Sequence, residues 1–212
     1  GWKKNRFHAN ANVGYNRSDG HRKNMDVEQW SGYGKAGYDF STNWSSFIDL
    51  NISNTNTSNP GTVSSPINDN DADITRGMTS LVIENAYDRT SGSLKFFYNF
   101  GSHTIDEGYA AGAQPKTYRF RSTDHMLGFT VAQSYVFFPG NTTTAGFDYK
   151  RLGGKAWNRY LDETPDVPLA DIRLNTVAGY MNVQQQVLDN RLTLNAGIRR
   201  DHHEINGSEW IP

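Results

Sequence analysis

Residues 7–17 read Phe-His-Ala-Asn-Ala-Asn-Val-Gly-Tyr-Asn-Arg, and their alternation decides the fold class. Successive side chains of a strand point to opposite faces. One register therefore carries Phe7, Ala9, Ala11, Val13 and Tyr15, and the other His8, Asn10, Asn12, Gly14 and Asn16. The first face is apolar and the second hydrogen-bonds. A helical period would mix the two sets, so the segment is a half-solvated strand.

The same pattern recurs outward from this segment. Trp30, Gly32, Gly34, Ala36, Tyr38 and Phe40 oppose Gln29, Ser31, Lys35 and Asp39, and Trp44, Ile48, Leu50 and Ile52 oppose Ser45, Asp49 and Asn51. Further apolar registers are Leu94, Phe96, Tyr98 and Phe100, then Ala145, Phe147 and Tyr149, then Leu192, Leu194, Ala196 and Ile198. Strands are expected over 7–17, 27–40, 44–57, 76–88, 92–106, 118–137, 141–152, 173–188 and 191–205. These exceed the five or six residues common in soluble sheets and suit barrel strands, which need about 9 to 11 tilted residues to cross an apolar layer. Three places resist a clean face assignment. Phe97 lies on the wet register, Val177, Met181 and Val183 compete with Tyr180, and Val82 sits between Leu81 and Ile83.

The connections give an independent argument. Short turns are expected at Ser41 to Asn43, around Arg89 to Ser91, at Pro139-Gly140 and around Asp189-Asn190, alternating with long connections near 18–26, 58–75, 107–117 and 153–172. In an antiparallel meander this places every short turn at one end and every long loop at the other, the asymmetry of an outer-membrane barrel. Phe40 and Trp44 flank one short turn, and Tyr135, Phe137 and Phe138 approach another. Aromatic rings with one polar edge favour a lipid–water boundary.

Composition narrows the classes. The 212 residues carry 21 basic and 22 acidic side chains, so no excess positive charge marks a nucleic-acid partner. Cysteine is absent, which excludes disulfide scaffolds and thiolate metal sites. No run approaches the roughly 20 apolar residues of a membrane helix. The first residues lack the pattern of an export signal, so a mature chain or an excised segment is expected. A mean hydropathy of -0.71 is compatible with a barrel whose lumen-facing residues are polar.

Three segments carry a family resemblance: FHANANVGYNRSDGHRKNMDVEQWSGYGKAGYDF from residue 7, SLKFFYNFGSHTIDEGY from residue 93, and TLNAGIRRDHHEINGSEWIP from residue 193. They resemble consecutive barrel hairpins of bacterial TonB-dependent outer-membrane receptors, particularly the type abundant in gut Bacteroidetes. The resemblance spans essentially the whole chain. It implies an all-β antiparallel transmembrane meander, a partial barrel of about 8–10 strands over residues 1–212, without the plug. A receptor of this family encloses a plug in its barrel, and its TonB-binding peptide lies in the N-terminal region missing here. The implied setting is the bacterial outer membrane, and the implied partners are outer-membrane lipid, the plug, the TonB complex indirectly and a small nutrient or metal-chelate ligand. Two open sheet edges would also favour edge-strand self-association in a closed or sandwich-like oligomeric arrangement.

The face pattern puts Asn10, Asn12, Lys35, Asp39, Asp49, Asn51, Lys95 and Asn99 toward the lumen, and the resemblance supplies the plug as their partner; water is the alternative. At the long-loop end, Tyr109, Tyr118, Trp157, Asn158, Arg159 and Tyr160 combine aromatic faces with hydrogen-bonding groups suited to a sugar, chelate or cobalamin-like ligand, although Trp157 and Tyr160 serve equally as rim anchors. Asp69, Asp71 and Asp73 in the connection Asn68 to Asp73 offer oxygens to a hard cation such as calcium, without the spacing of a helix-loop-helix calcium motif, and a solvated loop is the competing reading. His8, His21, His103, His125, His202 and His203 show no zinc spacing, and adjacent His202 and His203 would point to opposite faces. No nucleophile elbow, phosphate loop or nucleotide fingerprint occurs, so neither a catalytic residue nor an organic cofactor is assigned. The competing architectures are a soluble all-β carbohydrate-binding module and a small complete structural outer-membrane barrel.

Overall fold

The computed structural model describes residues 1–189 and 191–212. Among the described residues there is no helix, and eleven strands follow one another in a single antiparallel sheet with neighbours in strict chain order. They are β1 (Trp2–Lys4), β2 (Phe7–Ser18), β3 (Val27–Asp39), β4 (Trp44–Thr57), β5 (Ile67–Ala86), β6 (Thr90–Ala110), β7 (Tyr118–Tyr135), β8 (Asn141–Tyr160), β9 (Val167–Val187), β10 (Leu192–His203) and β11 (Gly207–Ile211). All nine expected strands are present. The two additions, β1 and β11, are short and lie at the sheet edges, where three and five residues are too few to display an alternation.

The order of connections also holds. Turns at Asn5-Arg6, 40–43, 87–89 and 136–140 lie at one end, and the connections 19–26, 58–66, 111–117 and 161–166 at the other. The turn expected around Asp189-Asn190 includes Asn190, which lies outside the described residues. Several loops are shorter than expected because the strands run past them. β5 begins at Ile67, β6 runs to Ala110, β8 to Tyr160, and β9 starts at Val167. Where a strand rises out of the apolar layer both faces meet water, so its hydropathy stops alternating although its ladder continues. This is why the loops expected at 58–75 and 153–172 shrink to 58–66 and 161–166.

Register propagates one face across the whole sheet. Ala11 pairs with Gly34, which pairs with Leu50, then Thr79, Tyr98, Leu127, Arg151 and Asn175. This outward face carries Val13, Tyr15, Trp30, Ile48, Leu50, Ile52, Phe96, Val131, Phe147, Met181, Leu194 and Ile198, all exposed. The opposite face is concave and holds buried Ser80, Val82 at 5% and Ala178 at 2% exposure. Among the described residues no second layer covers the apolar face, and a continuous apolar band of this extent is foreign to a soluble module. The chain is therefore a wall built for lipid rather than one half of a sandwich. Among the described residues β1 pairs with β2 alone and β11 with β10 alone, so the sheet they form does not close on itself.

Glycine opposite a large ring resolves the ambiguous faces. Phe97 is concave because its ring lies over Gly128, where an added Cβ would meet the ring at 2.7 Å. Tyr180 is concave because its ring covers Gly146, which leaves Val177, Met181 and Val183 outward. Val82 faces inward between the outward Leu81 and Ile83.

Candidate functional site

The concave face is the surface on which a lumen occupant would rest, and all eight residues expected there share it. Asn10, Lys35 and Asp49 occupy one ladder row that continues to Ser80 and Phe97. Asn12, Asn51 and Asn99 occupy the next polar row with Tyr33 and Met78. Lys95 lies beside Val82, and Asp39 opposite Ser45. The row is already organised by its own contacts: Ser80 Oγ donates to Asp49 Oδ2 at 2.5 Å, and Lys35 Nζ lies 3.5 Å from the centroid of the Phe47 ring. Cation–π contacts of this kind hold an ammonium without neutralising it.

Two ion-pair clusters on this face were invisible in the sequence. Arg76 on β5 reaches over β6 to Asp124 on β7, Nη1 to Oδ1 at 2.6 Å. The crossing passes above Gly101, where a Cβ would lie 2.9 Å from Asp124 Oδ2 and would crowd the Arg76 guanidinium. Arg199 on β10 holds Asp201 through Nε at 2.9 Å and Asp148 on β8 through Nη1 at 2.8 Å, with its guanidinium carbon 5.6 Å from the Tyr180 ring centroid. Partners 48 and 51 residues apart cannot be paired from one sequence; the usable signal was a lone glycine on the lumen register beside charged neighbours. Asn99 Oδ1 and His103 Nε2 on the same face are buried without a hydrogen-bond partner among the described residues.

At the long-loop end the expected ligand residues stand on strands rather than loops, and alternation divides them. Tyr118 and Tyr160 pair across β7 and β8 on the concave side with ring centroids 5.6 Å apart, and Asn158 follows them opposite Phe120. Trp157 and Arg159 point outward, opposite Arg121 and Arg119. Tyr109 stands apart on β6, opposite Asn68. The six residues therefore form no single cluster, and the mouth of the concave face is lined by Tyr118, Phe120, Asn158 and Tyr160.

The acidic run is likewise strand. Asp69 takes positive φ of 50° as Asp69 and Gly108 step out of the ladder, while Asp71 pairs with Asp106 and Asp73 with Asn56 and Thr104. Asn54 Nδ2 donates to Asp73 at 3.0 Å. Spaced along one strand, Asp69, Asp71 and Asp73 do not converge, and among the described residues no group of three or more His, Asp or Glu is placed to hold a metal ion. Asp69 instead accepts from Tyr109, beyond the apolar layer, and raises that phenol above its ordinary value. His202 and His203 do face opposite ways, His202 beside Ser208 and His203 accepting from the backbone of Ile205 and Asn206.

At the short-turn end the concave face opens into a hollow of about 780 Å³ lined by Arg6, Asp39, Thr42, Glu84, Ser93 and Ser134 among others. Small hydroxyls, carboxylates and one guanidinium suit hydrogen bonding to another chain better than enclosure of a small apolar molecule.

Comparison with known proteins agrees with this geometry. Residues 2–212 match the family model described as TonB dependent receptor-like, beta-barrel. No curated protein matches the sequence. Among solved structures, the copper transporter OprC superimposes with a TM-score of 0.75 at 12% identity, covering 93% of this chain and 33% of its own. BauA, the ferric preacinetobactin receptor from Acinetobacter baumannii, superimposes with a TM-score of 0.76 at 10% identity, covering 97% of this chain and 39% of its own. The chain thus spans little more than a third of these relatives, and at such identity the likeness is one of fold.

Proposed function

We propose, from the premise that this chain belongs to the TonB-dependent receptor-like β-barrel family, that it is part of the wall of an outer-membrane receptor that takes up a nutrient or metal chelate with energy delivered through TonB. The observation that carries this reading is the division of one sheet into a continuous lipid-facing band and a concave face of paired charges and amides. A wall of this kind holds a plug by hydrogen bonds while lipid bathes its outside. In the intact receptor, Asn10, Asn12, Lys35, Asp39, Asp49, Asn51, Lys95 and Asn99 face the plug, and the hollow at the short-turn end receives its periplasmic side. Tyr118, Asn158 and Tyr160 meet the ligand at the outer mouth. Energy enters through the plug and TonB, so the wall positions and the plug moves; no bond is made or broken by this chain.

The names of the structural neighbours suggest copper and a ferric siderophore as the first probes. Cells carrying the full-length receptor are expected to accumulate a radiolabelled probe of this class only when both the receptor and TonB are present. Accumulation that survives deletion of TonB would refute energised uptake.

A further inference from the structure

The outward face carries a second feature, set just beyond the lipid band at the long-loop end. On β8 the continuous outward apolar run ends at Tyr149 and on β9 at Val177, and these two pair with each other; farther along, Trp157 and Pro168 face outward again. Beyond them the outward positions of the two strands hold Arg151, Lys155 and Arg173, with Asn175 opposite Arg151 and Arg173 opposite Gly153. At about 3.4 Å per residue and a tilt near 40°, Arg151, Arg173 and Lys155 stand roughly 5, 10 and 15 Å above the band edge. The headgroup layer of a bilayer is about 5–8 Å thick on each side. Arg151 therefore stands within that layer, and Lys155 and Arg173 stand just above it with their charged ends beside Asp171.

The three cations border a shallow hollow of about 240 Å³, lined also by Thr123, His125 and Asp171. Asp171 Oδ2 lies 3.5 Å from Lys155 Nζ and Oδ1 3.8 Å from Arg173 Nε, so one carboxylate serves two cations. Arg151 has no carboxylate within salt-bridge distance among the described residues, and its ladder neighbours are Leu127 and Asn175. The His125 ring lies over Gly153 and closes one side of the hollow. The charge favours one side of the wall: outward Arg119, Arg121 and Arg159 continue it on β7 and β8, whereas at the same end β3 to β5 present Glu28, Asn54 and Asp73. A patch with surplus positive charge on β8 and β9, beginning at headgroup height with Arg151 and rising above it, is matched to an anion fixed in the membrane surface.

We infer that Arg151, Lys155 and Arg173 form a binding site for the phosphate of a lipid headgroup in the outward leaflet, fixing one anionic lipid against strands β8 and β9. Arginine and lysine at such a site bind phosphate by charge-assisted hydrogen bonds, and cations near an anionic bilayer surface each strengthen attachment about fivefold. The site rests on the membrane placement proposed above, and its test separates the two. The full-length receptor is placed in phosphatidylcholine nanodiscs containing a minor fraction of phosphatidic acid, and lipids retained on release are counted by native mass spectrometry. Brominated acyl chains report the contact of outward Trp30 and Trp44 with lipid.

The native receptor is expected to retain phosphatidic acid preferentially, and the triple variant R151Q/K155Q/R173Q to lose that preference by more than tenfold while its barrel remains heat-modifiable on gels. The charge-preserving variant R151K/R173K should keep most of it, which a merely structural role would not require. Added inorganic phosphate at matched concentration should displace the lipid poorly; equal displacement would make this a site for free phosphate and overturn the lipid assignment. Unchanged preference in the triple variant would overturn the site. Absence of bromine quenching at Trp30 and Trp44 would instead overturn the membrane placement itself.

Discussion

A charge introduced at the middle of the outward band tests the face assignment directly. On β4 the outward apolar run extends from Trp44 to Ile52, with Ile48 at its centre and 53% exposed. Ile48 pairs with Ala36 and Leu81, both outward, so an arginine there has no polar neighbour in its row. An arginine on the lipid face costs about 2–4 kcal/mol at the bilayer midplane and about 0–1 kcal/mol near the interface. Ile48→Arg is therefore expected to destabilise the barrel by about 3 kcal/mol, and Ile52→Arg, four residues nearer the boundary, by about 1 kcal/mol or less. Asn51→Arg projects into the wet concave face and is expected to cost within about 0.5 kcal/mol. The assay is guanidinium unfolding of the receptor in phospholipid bilayers, followed by tryptophan emission and by gel mobility. A one-residue slip of register would exchange the faces, making Asn51→Arg the costly change and Ile48→Arg the mild one. Equal costs at Ile48 and Ile52 would refute the depth assignment even if the faces were right.

Three other outcomes follow from the concave face and its rim. Gly128→Ala should destabilise by about 1–3 kcal/mol in the same unfolding assay, because its Cβ meets the Tyr149 carbonyl and the Phe97 ring; Gly34→Ala, with nothing within 4 Å, should be close to neutral. Arg199→Ala removes the only cation bonded to both Asp148 and Asp201 among the described residues and should cost about 1.5–3 kcal/mol, measured by the shift in unfolding midpoint, with Arg199→Lys recovering part. In the exposed connection 161–166, the hydroxyl and backbone N–H of Thr164 hold the Asp162 carboxyl below its ordinary value. The sign follows from that depression: the contact is present above the ordinary carboxylate range and lost as pH falls through the lowered value, so an NMR titration should find Asp162 protonating at higher pH in Thr164→Ala than in the native chain.

Where the wall meets lipid, its structure was legible in the sequence, because the solvent imposes a period on it. The outward members of β2, β3, β4 and β10 can be read residue by residue, and so can the membership of Asn10 to Asn99 in the opposite, concave face. Legibility ends where water bathes both faces. Asp69, Asp71, Asp73, Trp157 and Arg159 look like loop because nothing apolar marks alternate positions, yet the ladder continues through them. Once they are strand, the expected ligand cluster is divided, with Tyr118, Asn158 and Tyr160 on one side and Trp157 and Arg159 on the other. The Arg76–Asp124 and Arg199–Asp148 pairs were hidden for a different reason: each spans an intervening strand, so neither sequence distance nor alternation announces it.

The slant of the apolar band across the hydrogen-bonded rows gives a last argument for a tilted membrane wall. The row that begins at Ala11 lies at the centre of the band on β2, where the outward run is Phe7 to Tyr15. By β4 the same row reaches Leu50, about two residues beyond the central Ile48, and by β7 Leu127, about four beyond Val131. On β9 it arrives at Asn175, about seven residues beyond the middle of the outward run from Val177 to Val187. Seven residues are about 24 Å along a strand, and seven strand steps are about 34 Å across the sheet. The ratio corresponds to strands tilted roughly 35° from the normal of the band, within the 35–45° range of outer-membrane barrels. A sandwich core has no reason to keep an apolar band of constant width while sliding it one way along successive strands. A flat layer of lipid crossed by tilted strands requires it, and the same drift carries the outward positions of β8 and β9 in that row out of the apolar layer, where Arg151 and Asn175 replace the leucines of β4 and β7.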